Sequence, residues 1–256
     1  MIEWLKIRSY RTFWVLLILF VVCTAGVNYT VYQVKVTTNI PGGATALLGN
    51  PFAFPDVWQT VTYISSFLLF LPGLIVLILT TNEYSFKTHR QNIIDGVSRF
   101  DFAFAKILIA LKLSGFATLV TALIAVFVGL LGNTAFSFDG AIYLLYFLLQ
   151  AITYSLFGLL LGFLIKRSGL AIALYFIYLF FVKNILSALA NHFVANTSGD
   201  YFPIKSSDSL IPLPVFQSIT KQMFTPPNVT ALIVCTLAYL AIFYFIIIKK
   251  FTKEDL

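Results

Sequence analysis

The chain has 256 residues, of which 59% are hydrophobic, 17% aromatic and only 11% charged, with a formal net charge of +7 and a mean hydropathy of +0.91. A soluble domain carries about 45–50% apolar and about 25% charged residues, so this composition cannot supply a water-exposed surface. It excludes a soluble globular domain and defines an integral membrane protein.

Taken in chain order, six apolar runs reach the length of about 20 residues that a helix needs to cross a bilayer: 12–34, 58–81, 104–131, 141–165, 169–190 and 228–248. Their apolarity is continuous, whereas barrel strands alternate with polar residues, so the expected class is an all-α membrane protein. The first run is too long for a signal-peptide core and is read as a retained span. The whole of 1–256 is expected to form a single transmembrane domain with no soluble domain.

Lys and Arg set the orientation. With the amino terminus inside, twelve fall on the inner side (Lys6, Arg8 and Arg11 among them) and only Lys35, Lys205 and Lys221 on the outer. Six spans then return the carboxyl terminus to the cytoplasm. The positive charge is a topology signal and requires no nucleic-acid partner. Trp14 and Trp58 fall at span ends, where aromatic belts lie.

In the second run, Pro72-Gly73 predicts a kink near Leu68, because proline removes a helix hydrogen bond and clashes with the carbonyl four residues back. These two residues are the candidate hinge. The polar stretch after it, "NEYSFKTHRQNIIDGVSR" at 82–99, becomes a cytoplasmic loop. Tyr84–Asp95 reads as a short helix, Gly96 as its left-handed terminator, and Ser98 as the N-cap of the third span with Asp101 three residues on. Acids mixed among the bases point to a protein partner, while contact with anionic headgroups is the simpler alternative.

The fourth run carries Tyr143, Tyr146, Gln150, Tyr154 and Phe157 on one helix face. Such a stripe either lines a substrate path or hydrogen-bonds neighbouring helices. Gly158-x-x-x-Gly162 follows, which permits close helix packing. Lys112 and Lys183 are the only full charges well inside span limits. Lys112 lies near the cytoplasmic entry, from which it can snorkel. Lys183 is about 14 residues into its span, roughly 20 Å deep at 1.5 Å per residue. It either snorkels outward or, with Asn184, faces a polar exit cavity suited to an anionic headgroup. Residues 210–224 are apolar but interrupted by proline, the profile of a re-entrant segment or of a surface loop.

Absences narrow the function. All ten acidic residues fall outside the spans or at their ends, so the carboxylates that ion-driven transporters place in the membrane are not expected. His89 and His192 are on opposite sides, which leaves no basis for a metal centre. There is no G-x-x-x-x-G-K-[ST] phosphate loop. A transporter built this way draws its energy from another subunit.

The segment 82–106 resembles the loop after the second span in membrane subunits of type-2 ATP-binding-cassette transporters, the ABC-2-type permeases. The matching positions are Glu83 leaving the span, Thr88, the pair Ser98-Arg99, and Lys106 entering the next span. Lys87 stands where family members often have glycine. The six-span layout, the basic segment Ile2–Arg11 and the long last outer loop are similar too.

The resemblance implies a coupling helix between spans 2 and 3 that docks on a separate ATPase, with Glu83, Lys87, Thr88, Arg90, Gln91, Asp95, Ser98 and Arg99 as contacts. It also implies a dimer of permease chains, a re-entrant segment before span 6, an amino-terminal interface helix, and ATP and Mg held by the partner rather than by this chain. The expected function is a permease subunit, most simply of an exporter in the cytoplasmic (inner) cell membrane, with lipid around it. Its expected substrate path is Tyr146, Gln150, Tyr154, Lys183 and Asn184. The alternative is a non-transporting membrane anchor that holds a cytoplasmic partner.

Overall fold

In hydrocarbon every backbone N–H and C=O must find its partner within the protein, and a helix does so within one segment. The computed structural model describes residues 10–37, 50–86, 88, 91, 94, 96, 98–132, 134–194, 197–214 and 227–252. Among these, the regular structure is entirely helical. The first span is α1 (Arg11–Thr37) and the second is divided into α2 (Val57–Ser66) and α3 (Phe70–Ser85). The third is α4 (Arg99–Leu131) and the fourth α5 (Ile142–Ile165). The fifth comprises α6 (Ser168–Ile177), a π-helical turn (Tyr178–Val182) and α7 (Lys183–Phe193). A 3₁₀ turn (Ser198–Tyr201) and the one-turn α8 (Lys205–Asp208) precede the sixth, α9 (Val229–Thr252). Five spans qualify singly by length and apolarity, and a sixth when α2 and α3 are joined.

Helix α5 is the hub. Its most apolar window is 67% buried, against 17% for α1 and 22% for both the fifth span and α9, whose apolar outer faces are left exposed by this chain. Close packing on α3 explains the two glycines of α5. A Cβ on Gly158 would lie 2.3 Å from the Gly73 carbonyl oxygen, and one on Gly162 would lie 3.0 Å from Thr80 Cβ. Only backbone without side chains can approach so closely.

The second span bends by 41° between α2 and α3, at the place the proline implies. Pro72 sits in the first turn of α3, where its missing N–H would have no intrahelical partner in any case. Its ring blocks a continuous helix from passing through Leu68. Gly73 serves packing as well as flexibility, because a Cβ there would fall 1.9 Å from the Tyr175 hydroxyl and 2.7 Å from the Tyr154 carbonyl oxygen.

Helix α4 begins before the apolar run does. The Asp101 amide donates to Ser98 Oγ at 3.0 Å, and Ser98 Oγ donates to Asp101 Oδ2 at 2.6 Å, which fixes the start at Arg99. With 33 residues the helix is about 50 Å long at 1.5 Å per residue, more than the roughly 30 Å hydrocarbon core. Its first turns therefore stand out on the cytoplasmic side of the assigned topology. Gly96 has φ +93°, the left-handed conformation expected of a terminator.

One expectation changes. Trp58 is not a lipid-facing belt residue: it is buried, and its indole N–H donates to the Ser137 carbonyl at 2.9 Å beneath an aromatic cap of Phe54 and Phe136. The described part of the outer connection before the last span turns inward. Ser206, Ser207, Leu210 and Ile211 are buried, and Thr236 Oγ1 of α9 donates to Ser206 Oγ at 3.1 Å. The part of 210–224 after residue 214, and most of the amino-terminal segment, lie outside the described residues.

Candidate functional site

Among the described residues, two largely buried ion pairs stand out in the apolar bundle, one toward each end. At the end that the assigned topology places inside, Glu83 closes α3 and Lys106 lies two turns into α4. Lys106 Nζ is 2.5 Å from Glu83 Oε1, with the two side chains only 4% and 13% exposed. This ion pair joins the two ends of the loop at 82–104. Thr88 Oγ1 donates to the Glu83 carbonyl at 3.4 Å, and the Asn82 amide donates to the Tyr10 hydroxyl at the foot of α1.

Thr88, Gln91 and Ile94 are helical and exposed, as is the ring of Phe86 before them. The loop thus offers apolar as well as polar surface. Ser98 caps α4, and Arg99 is half-buried in its first turn. Lys87, Arg90 and Asp95 lie outside the described residues.

The other site lies in the outer half of the assigned topology. Asp208, from α8, points into the bundle and receives three donors. Gln150 Nε2 and Tyr154 Oη each donate to Oδ1 at 2.9 Å, and Lys183 Nζ is 2.5 Å from Oδ2. Lys183 also donates to the Tyr154 hydroxyl at 2.7 Å. A lone buried charge would cost several kcal/mol, so both charges persist only because they share this network. Lys183 is therefore held inside the bundle rather than snorkelling. The expectation that no carboxylate would reach the bundle fails, because Asp208 belongs to a loop that folds inward.

Irregular backbone positions these groups. The π-helical turn ends immediately before Lys183. One extra residue in a turn rotates everything after it by roughly 100° relative to an uninterrupted helix. Ile204, fully buried, holds φ +67° just ahead of α8. That is a strained conformation for a β-branched residue, at about 1–3 kcal/mol, and such strain collects at functional sites.

Beside the network is a cavity of about 290 Å3. Gln150, Tyr154, Lys183 and Asp208 form its floor, and Phe67 and Phe70, at the break of the second span, form part of its wall. Phe180 from the π-helical turn and Asn184 from α7 face them. Of the five residues expected on a substrate path, four therefore meet at one cavity. Tyr146 does not line it and instead makes an edge contact with Tyr143 at 5.9 Å. Asp208, Lys205 and the rings of Phe67 and Phe70 were missed in the sequence as residues of this site, although the break itself was expected. The available signal was that an intramembrane lysine needs a counter-charge, and "KSSDS" at 205–209 holds the second acid that follows it, after Asp200.

The fold and these sites define a multi-pass α-helical membrane protein with an ion pair bracing the loop at 82–104 and a polar cavity toward the other end of the bundle. The chain belongs to a family described as ABC-2 family transporter proteins, whose sequence model matches residues 1–182. That membership makes it a membrane component of the ABC transporter class. No curated protein matches the chain. The matched stretch includes Glu83, Lys106, Gln150 and Tyr154 and ends one residue before Lys183.

Proposed function

We propose that this chain is the permease subunit of an ATP-driven exporter of the inner cell membrane. It works as a dimer, and ATP and Mg are bound by a separate ATPase that docks on the loop at 82–104. The observation that carries the reading is the buried Glu83–Lys106 pair. It ties the loop to the end of α3 and the start of α4 together, so a push on the loop moves two spans rather than a free strand of chain. Helix α3 begins at the proline-conditioned bend of the second span, beside the outer cavity, and ends at the docking loop. The same helix thus connects the docking loop with the proposed substrate path. Pro72 and Gly73 act as the hinge in this scheme, within the tight contact that Gly158 makes on Gly73.

Charge reversal at Arg90 and at Asp95 tests the docking. We expect ATP turnover by the partner to lose its dependence on this chain while membrane insertion is preserved. Unchanged coupling in both variants would overturn the assignment. Recovery of the chain with a cytoplasmic partner that hydrolyses no nucleotide would favour the anchor reading instead.

A further inference from the structure

The outer cavity carries chemistry that its own network does not consume. Lys183 and Asp208 neutralise one another, but Lys205 also lines the cavity and has no ion-pair partner among the described residues. Two lysines against one aspartate leave the lining at +1. Gln150 is 2% exposed; its Nε2 donates to Asp208, but its Oε1 is buried with no hydrogen-bond partner. An unpaired buried acceptor costs about 1–3 kcal/mol, and a ligand donor would recover part of this. Phe67 and Phe180, 65% and 51% exposed, flank the opening and extend toward the lipid side.

We propose that this cavity binds the headgroup of an anionic amphiphile that also carries a hydroxyl or amine donor. Lys205 takes the anionic oxygen, Gln150 Oε1 accepts from the donor, and Phe67 and Phe180 support the hydrocarbon chain. Size sets the division of labour. At about 290 Å3 the cavity is at the lower end of the roughly 300–1,000 Å3 range of small-molecule sites. It therefore holds a headgroup and leaves the chain along the exposed rings.

The Lys183–Asp208 pair keeps the floor neutral and positions the Gln150 amide, so Lys205 is the cation left for the ligand. Both lysines and Asp208 come from the third of the chain beyond the family match, whereas Gln150 and Tyr154 lie within it. The site thus joins the shared bundle to a segment peculiar to the unmatched part. Transport of the bound amphiphile rests on the permease reading above; its binding does not.

The test is native mass spectrometry of the full-length chain in detergent with phosphatidylglycerol, which has a phosphate and hydroxyls, against phosphatidylcholine, which has the phosphate but no donor, and inorganic phosphate. We expect one phosphatidylglycerol to bind saturably and about tenfold more tightly than phosphatidylcholine, as the loss of one hydrogen bond to a buried acceptor implies, with no retention of inorganic phosphate. Lys205→Gln and Phe180→Ala, both at solvent- or lipid-accessible positions, should each weaken that binding about tenfold without altering helical content.

Equal retention of the two lipids, or wild-type binding by Lys205→Gln, would overturn the proposal, and inorganic phosphate bound as tightly as the lipid would overturn its amphiphile part. An ATPase co-purification on the same preparation separates the two readings. Lipid binding without an ATPase leaves this site standing and removes the permease; an ATPase without lipid selectivity does the reverse.

Discussion

The two ends of the bundle use the same pair of groups for different ends. Glu83–Lys106 and Lys183–Asp208 both hold nitrogen and oxygen at 2.5 Å, and both are mostly buried. The first joins regular helices and is backed by the Phe102 ring, 5.1 Å from the Lys106 ammonium. The second joins a π-helical turn, a one-turn helix behind a strained isoleucine, and a cavity. A buried ion pair by itself therefore does not mark a binding site. A cavity beside the pair does, and the outer pair has one.

The largest effect should come from the packing that connects the two sites. Gly158→Leu would drive a side chain into the Gly73 carbonyl, and we expect no monodisperse folded protein. Gly115→Leu, where a Cβ meets nothing within 4 Å, should behave as wild type in the same size-exclusion assay. Equal behaviour of the two variants would show that α3 and α5 are not in backbone contact.

Next come the ion pairs. Lys106→Met removes the cation from the Glu83 carboxylate and should cost about 3 kcal/mol of thermal stability in detergent. Lys183→Met should cost less, about 2 kcal/mol, because Gln150 and Tyr154 still donate to Asp208. The reverse order would mean that the outer network, not the cytoplasmic brace, is the stronger structural element. The smallest effect belongs to Lys112→Gln, an exposed cation whose replacement should stay within about 0.5 kcal/mol.

Much of the scaffold was legible in the sequence because its causes are local. The six apolar runs became spans, the proline at 72 marked the bend, and Ser98, Asp101 and Gly96 assumed the capping and terminating conformations that their side chains favour. Gly158 and Gly162 were legible as packing residues, but not their partners Gly73 and Thr80. Trp58 misled because a tryptophan at a span end can face lipid or protein, and only the loops folded over it decide which.

Composition, periodicity and the distribution of Lys and Arg by themselves determined that this is a membrane-spanning helical protein and which way it is expected to lie. Those properties add up residue by residue along a chain solvated by lipid. The outer site could not be read in that way. Lys183, Asp208 and Gln150 are 25 and 58 residues apart along their hydrogen-bonded pairs. They meet only because a loop of polar residues folds inward to neutralise a lysine that the apolar span had buried. Tertiary structure alone decided that, since the cost of an unpaired buried charge is settled by whatever the whole fold can bring to it.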